Sequence, residues 1–515
     1  MKGPIPYFVI SVAIFPLLVL YSSNMGLIAP NELILPATKS ISFSVLLSLA
    51  MGALCRNLKR GALLSSFIVL SYFVFGHVWL IIRSGDMVTK HTVVNYSIAV
   101  VAVGLLLLLA ASRGELSRVT RLLNTIGVLL LVVPTLSIGM QWIAVRRQVS
   151  DIQFLSGDAG ARSETVTRGR PPDIYYIILD GFGRQDTLKK YLQFDGQKFV
   201  DALQQRGFYI ASGAHSNYIQ TELSLASSLN FDYLQRLLPG LDKESTRRQL
   251  LDVLIDRNRV SAILKSKGYS YLAIGTGFPG VSPRSADIYI HGSEEVSLFW
   301  SLLLEMSPFE PSFTEQSSQF DQHRNALRGA VSALKNLQPE GLRPRFVFAH
   351  ILAPHPPFVL NADGSDRKSR SGFGFYDGSD FFASGATRRE YVEGYTNQAA
   401  AISMMLLNAI DSILTRSGQR PIILIQGDHG SKLNLDQSSL AKTNLEESFS
   451  NLSAFLVPES VRQRLYPTIT PVNSFRVVFD GLFNESLPLL PDKSYYSTWG
   501  RPFDWIDITS KLEAR

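Results

Sequence analysis

"RPIILIQGDHGSK" occupies residues 420–432, and its reading decides how the rest of the chain is read. Ile422 to Ile425 form an unbroken apolar run, as expected of a strand buried on both faces. The run ends on Gly427, Asp428, His429 and Gly430. A turn needs only turn formers there. An Asp beside a His instead sets two hard-to-borderline metal ligands at the mouth of a sheet. Gly427 and Gly430 are expected to turn the backbone sharply and leave room for an ion and a phosphate. Alone, the pair is a weak hint, so its weight depends on what lies at the ends of other strands.

From Pro171 onward the chain alternates short β-branched or aromatic runs with helical stretches. "DIYYIIL" (173–179), "GFYIAS" (207–212), "YSYLAIG" (269–275), "RFVFAHIL" (345–352) and "PIILIQG" (421–427) read as strands. "GQKFVDALQQR", "NRVSAILKSKG", "RNALRGAVSALKNL" and "YTNQAAAISMMLLNAIDSILTRSG" carry helical periodicity between them. This order predicts an α/β domain with a mostly parallel sheet covered on both faces. Ligands in such folds gather beyond the carboxyl ends of the strands. The first strand runs into Asp180, the fourth into His350 and His355, and the last into Asp428 and His429. Thr221 opens a helix-like stretch, where free backbone N–H groups favour an anionic group.

Each feature has a plainer explanation when taken singly. Asp-Gly after a strand is commonly a turn, Thr221 alone would be an N-cap, and histidines near prolines pack or hydrogen-bond. Together, two carboxylates, an imidazole and a hydroxyl at predicted strand ends would make a hard metal site. A divalent ion held by Asp180, Asp428 and His429 would lower the pKa of the Thr221 hydroxyl and polarise a phosphoryl oxygen. His350 or His355 could donate to a nonbridging or leaving-group oxygen. Arg184, Asn217 and Lys432 lie beside these motifs and could meet an anionic headgroup, although surface solvation is the plainer explanation of each.

The first third of the chain has a different composition. Of the apolar stretches at about 6–23, 41–55, 62–82, 93–112 and 123–145, most approach the roughly 20 residues that cross about 30 Å of hydrocarbon as a helix, and the second is the shortest. Lys2, then Arg56, Lys59 and Arg60, then Arg113, Arg118 and Arg121 fall on one side of a five-span arrangement. The positive-inside rule puts that side and the N-terminus in the cytoplasm. Arg146 and Arg147 fall on the other side, where they can meet lipid headgroups. The expected organisation is a transmembrane domain over residues 1–147, a linker over 148–170, and an extracytoplasmic domain over 171–515.

Composition narrows the function classes. The formal charge of +7 is modest for 515 residues and scattered, with no basic stripe interleaved with aromatics for nucleic acid. The single cysteine, Cys55, rules out an intramolecular disulfide, a cysteine-rich zinc site and a catalytic dithiol.

"YYIILDGFG", a Thr after "NYIQ", "HILAPHPPF" and "IILIQGDHG", in this order, resemble the alkaline phosphatase superfamily. The sulfatase-like branch fits best, with lipoteichoic acid synthases and phosphoethanolamine transferases as the nearest known activities. "ITPVNSFRVVFDGLF" and "LLPDKSYYS" are also similar to sulfatase-like bacterial membrane proteins. The resemblance covers about residues 171–515. It implies that Asp180 fills the first acidic metal position, that Thr221 is the nucleophile that becomes phosphorylated, and that Asp428 and His429 complete a one-metal site. His355 matches the substrate-binding histidine better than His350 does. The implied ion is Mn²⁺ or Zn²⁺, with Mg²⁺ as a further option. The chain lacks the C/S-x-P-x-R motif of true sulfatases, so sulfate-ester hydrolysis is not expected. It also lacks the disulfides that extracytoplasmic phosphoethanolamine transferases often carry.

The resemblance implies a phosphotransferase of the bacterial inner membrane. It would move a phospholipid headgroup of phosphoglycerol or phosphoethanolamine type through phospho-Thr221 to a cell-envelope glycan or lipid-linked saccharide. The alternatives are a membrane-anchored phosphodiesterase or phosphatase, and a non-catalytic glycan-binding relative.

Overall fold

The computed structural model describes residues 4–25, 30–83, 116–157, 171–275, 283–292, 313–338, 343–368 and 373–513, together with positions 278, 280, 281, 299 and 303. The chain divides into two compact units, residues 1–147 with 297–315 and residues 148–296 with 316–515.

The first unit is built from apolar helices, Phe8–Ser23, Ile34–Leu54, Leu58–Arg83 and the start of Ser117–Gly157. Outward-facing apolar side chains such as Leu46, Val133 and Leu136 are exposed. Apolar residues on the outside as well as between the helices fit a bilayer as solvent. Two stretches differ from their expected bounds. The second helix starts at Ile34 rather than 41, because Pro36 falls in its first turn, where a missing N–H costs nothing. Its 21 residues rise roughly 31 Å, enough to span the hydrocarbon. The last helix runs unbroken through Arg146 and Arg147 to Gly157, so the first part of the expected linker is helical. The stretch expected at 93–112 lies outside the described residues. Phe299, grouped with this unit, is buried against Leu17, Tyr21 and Met25.

The second unit holds a seven-stranded sheet. Its strands are β1 (Ile174–Leu179), β2 (Tyr209–Ile210), β3 (Ser270–Gly275), β4 (Ile288–His291), β5 (Arg345–Ile351), β6 (Ile422–Gln426) and β7 (Ser453–Leu456), in the order β2-β7-β6-β1-β5-β3-β4. β4, β3, β5, β1 and β6 are mutually parallel, and β7 runs antiparallel to both β6 and β2. A separate antiparallel hairpin joins β8 (Tyr495–Thr498) to β9 (Arg501–Asp507).

β1 shows why the sheet must be covered twice. Successive side chains point to opposite faces, so Tyr175, Ile177 and Leu179 enter one core while Ile174, Tyr176 and Ile178 enter the other. The first core is closed by helices Phe313–Asn336 and Arg388–Arg416, through residues such as Leu327, Ile402 and Ile410. The second is closed by Thr221–Ser228, Gln249–Asp256, Arg259–Ser266 and Pro471–Phe483. Helix Arg388–Arg416 is long and apolar enough to cross a membrane by composition. Its buried stripe packs on the sheet and a Thr387–Glu390 capping box starts it, as in an ordinary sheet-covering helix.

Register fixes the site. Ile178 lies opposite both His350 of β5 and Gln426 of β6, so the residues that follow these three central strands emerge side by side.

Candidate metal centre and nucleophile

Asp180 follows β1 directly, and its backbone N–H extends the ladder to Ile351 at 3.0 Å. Asp428 and His429 follow β6. The two loops are knitted together, because the Gly181 N–H donates to Asp428 Oδ1 at 2.8 Å. At Gly427 and Gly430 the reason for glycine differs from the expected one. A side chain at Gly427 would meet the Phe182 carbonyl at 2.2 Å, and one at Gly430 would meet the Glu447 carbonyl at 2.0 Å. They make room for neighbouring backbone rather than for an ion and a phosphate.

Thr221 is the first residue of helix Thr221–Ser228 and is buried. Its Oγ1 lies 3.3 Å from Asp180 Oδ2 and 3.3 Å from His429 Nε2. One turn on, Ser224 Oγ donates to the Asp428 carbonyl at 2.7 Å and so fastens the helix to the β6 loop. His429 Nδ1 faces the Gly430 carbonyl at 2.8 Å, which sets the proton on Nδ1 and leaves the Nε2 lone pair directed inward. That lone pair is 3.3 Å from Asp428 Oδ2 and 3.6 Å from Asp180 Oδ1.

These atoms repel one another unless something positive lies among them. Burial, with Lys432 nearby, holds the His429 imidazole well below its usual value, so it supplies no proton at neutral pH. Burial first, and then the charge of Asp428, pushes the Asp180 carboxyl up to about 8. Asp180 Oδ1 and Asp428 Oδ2 are both buried and have no hydrogen-bond partner, a condition that demands an explanation in a folded protein. Ligand atoms of Asp180, Asp428 and His429 all fall within 4.8 Å of one another. Two carboxylate oxygens and a bare imidazole nitrogen, with the Thr221 hydroxyl beside them, are a donor set that fits Zn²⁺ or Mn²⁺.

The remaining expected residues separate into groups. His350 lies within β5, where burial lowers it to about 4. As a neutral ring it donates from Nε2 to Asp180 Oδ2 at 3.0 Å, so it orients a ligand carboxylate. His355 follows β5 on a loop whose His355 N–H donates to the Asp180 carbonyl at 3.1 Å. His355 Nε2 is 3.7 Å from Asp377 Oδ2. Lys432 is buried, and its ammonium bears electrostatically on both Asp180 and His429.

Arg184 and Asn217 are committed elsewhere. The Arg184 guanidinium holds Asp186 and the Ala214 carbonyl. Asn217 receives the Val472 N–H and donates to the Lys493 carbonyl, both at 2.8 Å. Each ties loops together where a headgroup contact was expected.

Sequence reasoning missed the supporting residues on helix Arg388–Arg416. Tyr395 OH donates to the Gly181 carbonyl at 2.7 Å, Tyr391 OH donates to Asp377 Oδ1 at 2.8 Å, and Gln398 donates to the His355 carbonyl at 2.9 Å. Their i, i+4, i+7 spacing puts three polar tips on the buried face of an otherwise apolar helix, and that signal was available in "EYVEGYTNQ".

No protein-family model and no curated protein matches the chain. Among solved structures it is similar to the C-terminal periplasmic domain of EcEptC from Escherichia coli in complex with Zn, at 11% identity and TM-score 0.44, covering 67% of this chain and 94% of that one. It is also similar to the integral membrane lipooligosaccharide phosphoethanolamine transferase A from Neisseria meningitidis, at 12% identity and TM-score 0.38, covering 90% and 76%. A third is BT1596, a 2-O GAG sulfatase, at 14% identity and TM-score 0.41, covering 65% and 74%. Phosphoethanolamine transferases and sulfatases are thus what the chain is similar to, and with scores this low the chemistry must come from its own residues.

Proposed function

We propose that the protein is a membrane-bound, metal-dependent phosphoryl-group transferase with Thr221 as its nucleophile. The observation that carries this reading is the Thr221 hydroxyl at a helix N-terminus, 3.3 Å from both Asp180 and His429 and beside two unpartnered carboxylate oxygens. Asp180, Asp428 and His429 would hold one divalent ion, which lowers the pKa of the Thr221 hydroxyl and polarises the phosphoryl group.

The chain's own residues supply the rest. Asp180 Oδ2 accepts from the Thr221 hydroxyl and aims its oxygen, while His350 holds that carboxylate in place. Thr221 Oγ1 attacks the phosphorus of a phospholipid headgroup as its proton passes to Asp180 Oδ2. The bond from phosphorus to the diacylglycerol oxygen breaks as His355 gives that oxygen a proton. In the second half-reaction a glycan or lipid-linked hydroxyl attacks phospho-Thr221 and releases its proton to the now neutral His355. The Thr221–phosphorus bond breaks, Asp180 Oδ2 returns the proton to Thr221 Oγ1, and the enzyme is back in its starting state. The apolar helices of the first unit would anchor the enzyme in the membrane that carries its lipid donor, a bacterial inner membrane, with the α/β unit outside the cytoplasm.

The test is mass spectrometry of the full chain after incubation with phospholipid vesicles and Mn²⁺ or Zn²⁺. The peptide bearing Thr221 should gain the mass of the transferred headgroup phosphate, and Thr221→Ala should lose turnover by roughly 10⁴-fold or more. Unimpaired turnover by Thr221→Ala would overturn the mechanism. Free headgroup phosphate with no modified saccharide would instead make water the acceptor and the enzyme a hydrolase.

A further inference from the structure

The aim of the Thr221 hydroxyl is set more by backbone than by rotamer. A β-branched threonine in a helix has few side-chain rotamers open to it, so Oγ1 goes where the first turn of Thr221–Ser228 puts it. Ser224 fastens one side of that turn to the β6 loop. The other side is held by Arg248, which is buried and stands just ahead of helix Gln249–Asp256.

Arg248 grips both chain neighbours of the nucleophile. Its Nη2 donates to Gln220 Oε1 at 2.6 Å, and its Nη1 donates to Glu222 Oε2 at 2.9 Å. Nη2 also donates to the Trp499 carbonyl at 2.9 Å, and the guanidinium lies 4.0 Å from the centre of the Trp499 ring. Gln220 is the N-cap residue of the nucleophile helix, yet its side chain makes no cap bond. It turns instead to the same hairpin, donating to Ser497 Oγ and to the Thr498 carbonyl, both at 3.0 Å. One planar fork thus ties the residues on either side of Thr221 to the β8–β9 hairpin. A buried ion pair adds little stability over apolar packing, because desolvation offsets the attraction. What the fork does supply is fixed geometry at the two residues flanking the reacting oxygen.

We propose that Arg248 is a positioning residue of the transfer reaction. Through Gln220 and Glu222 it holds the Thr221 backbone so that Oγ1 faces Asp180 and His429. This rests on the transferase reading above. A lysine at 248 keeps a positive charge beside Glu222 but loses the fork, so one variant separates charge from geometry.

The experiment times headgroup labelling of Thr221 in the full chain, with phospholipid vesicles, Mn²⁺ and no acceptor. At saturating lipid Arg248→Lys should label about 100-fold more slowly, with half-saturating lipid and Mn²⁺ affinity within about twofold of wild type. Gln220→Leu unpairs no charge and should be about tenfold slower in the same way, and it decides the matter if Arg248→Lys does not fold. Arg476→Lys is the control, because Arg476 is also buried but holds the Phe231 and Pro488 carbonyls rather than a neighbour of Thr221. It should lower Tm and leave the labelling rate below that temperature unchanged. An unslowed Arg248→Lys or Gln220→Leu, or equal slowing in Arg476→Lys, overturns the proposal and leaves the transferase reading standing. A loss confined to lipid or Mn²⁺ affinity also overturns it, because Arg248 would then serve binding and not the aim of Oγ1. Wild-type protein that never labels at Thr221 sinks the transferase reading, and the positioning role falls with it.

Discussion

The two ends of strand β1 carry the same residue type in opposite circumstances. At the entry, Asp173 accepts from the Arg345 backbone N–H at 2.9 Å and from its guanidinium at 3.0 Å, while Arg345 also reaches the Gln338 carbonyl. The Asp173 carbonyl takes the Ile422 N–H. Every polar group there has its complement, and β1, β5 and β6 are fastened together. At the exit of the same strands, Asp180 and Asp428 face a bare imidazole with carboxylate oxygens unpartnered. One end is arranged for stability. The other is held in a frustrated arrangement that a cation would relieve, and frustration of this kind marks function rather than folding.

Asp428→Asn is the sharpest way to break that contrast. Removing one like charge should raise the stability of metal-free protein, because the repulsion that lifts Asp180 is relieved. It should also abolish the rise in Tm expected of the wild type with Mn²⁺ or Zn²⁺, and lower activity roughly 10³-fold or more. Thermal unfolding with and without metal reads both effects. A variant that is less stable without metal would show that the carboxylates do not repel as the geometry requires.

Asp173→Asn should act the other way. Losing a nearly buried partner leaves Arg345 uncompensated and costs about 3 kcal/mol of stability. The metal-dependent gain in Tm should persist, because the exit of the strands is untouched. Urea unfolding curves at fixed metal concentration would measure it. If Asp173→Asn lost the metal-dependent gain, the two ends would not be independent, and the division of labour along β1 would fail.

How much of this was legible beforehand follows the same division. β1, β3, β5 and β6 are nearly continuous apolar runs and stand out in the sequence, because parallel strands covered on both faces have no polar side to hide them. β7 and β4 have only four residues each, too few to display a period. The expected strand at 207–212 shrinks to Tyr209–Ile210 at the sheet edge. Strand ends pointed to Asp180, Asp428 and His429, and a helix start pointed to Thr221, because the fold class alone says where to look. Side-chain partners were not legible. Asn217 is occupied by Val472 and Lys493, which are remote in sequence, and no local pattern announces that. His350 and His355 are close in sequence, yet strand geometry buries one against Asp180 and sends the other into a loop beside Asp377.

The smallest effect concerns His323, a residue that sequence reasoning passed over and that again sets burial against satisfaction. Its ring is fully buried among Phe373 and Phe375 with neither nitrogen hydrogen-bonded. Burial, then the neighbouring His355 and Arg324, lower it to about 3. Its folded value therefore lies below its unfolded value of about 6.5. Between about pH 6.5 and 3 the unfolded chain binds the proton and the folded chain does not, so this group lowers stability as pH falls through that window. His323→Leu keeps an apolar filling and removes the proton. At about pH 5 its stability should depend on pH less steeply than the wild type by one proton's worth, about 1.4 kcal/mol per pH unit. At neutral pH the two proteins should differ by less than about 1.5 kcal/mol. Chemical unfolding across that range reads the slope directly. An unchanged slope would mean that His323 finds a proton-sharing partner in the folded state, and that its two bare nitrogens are not the cost the structure makes them.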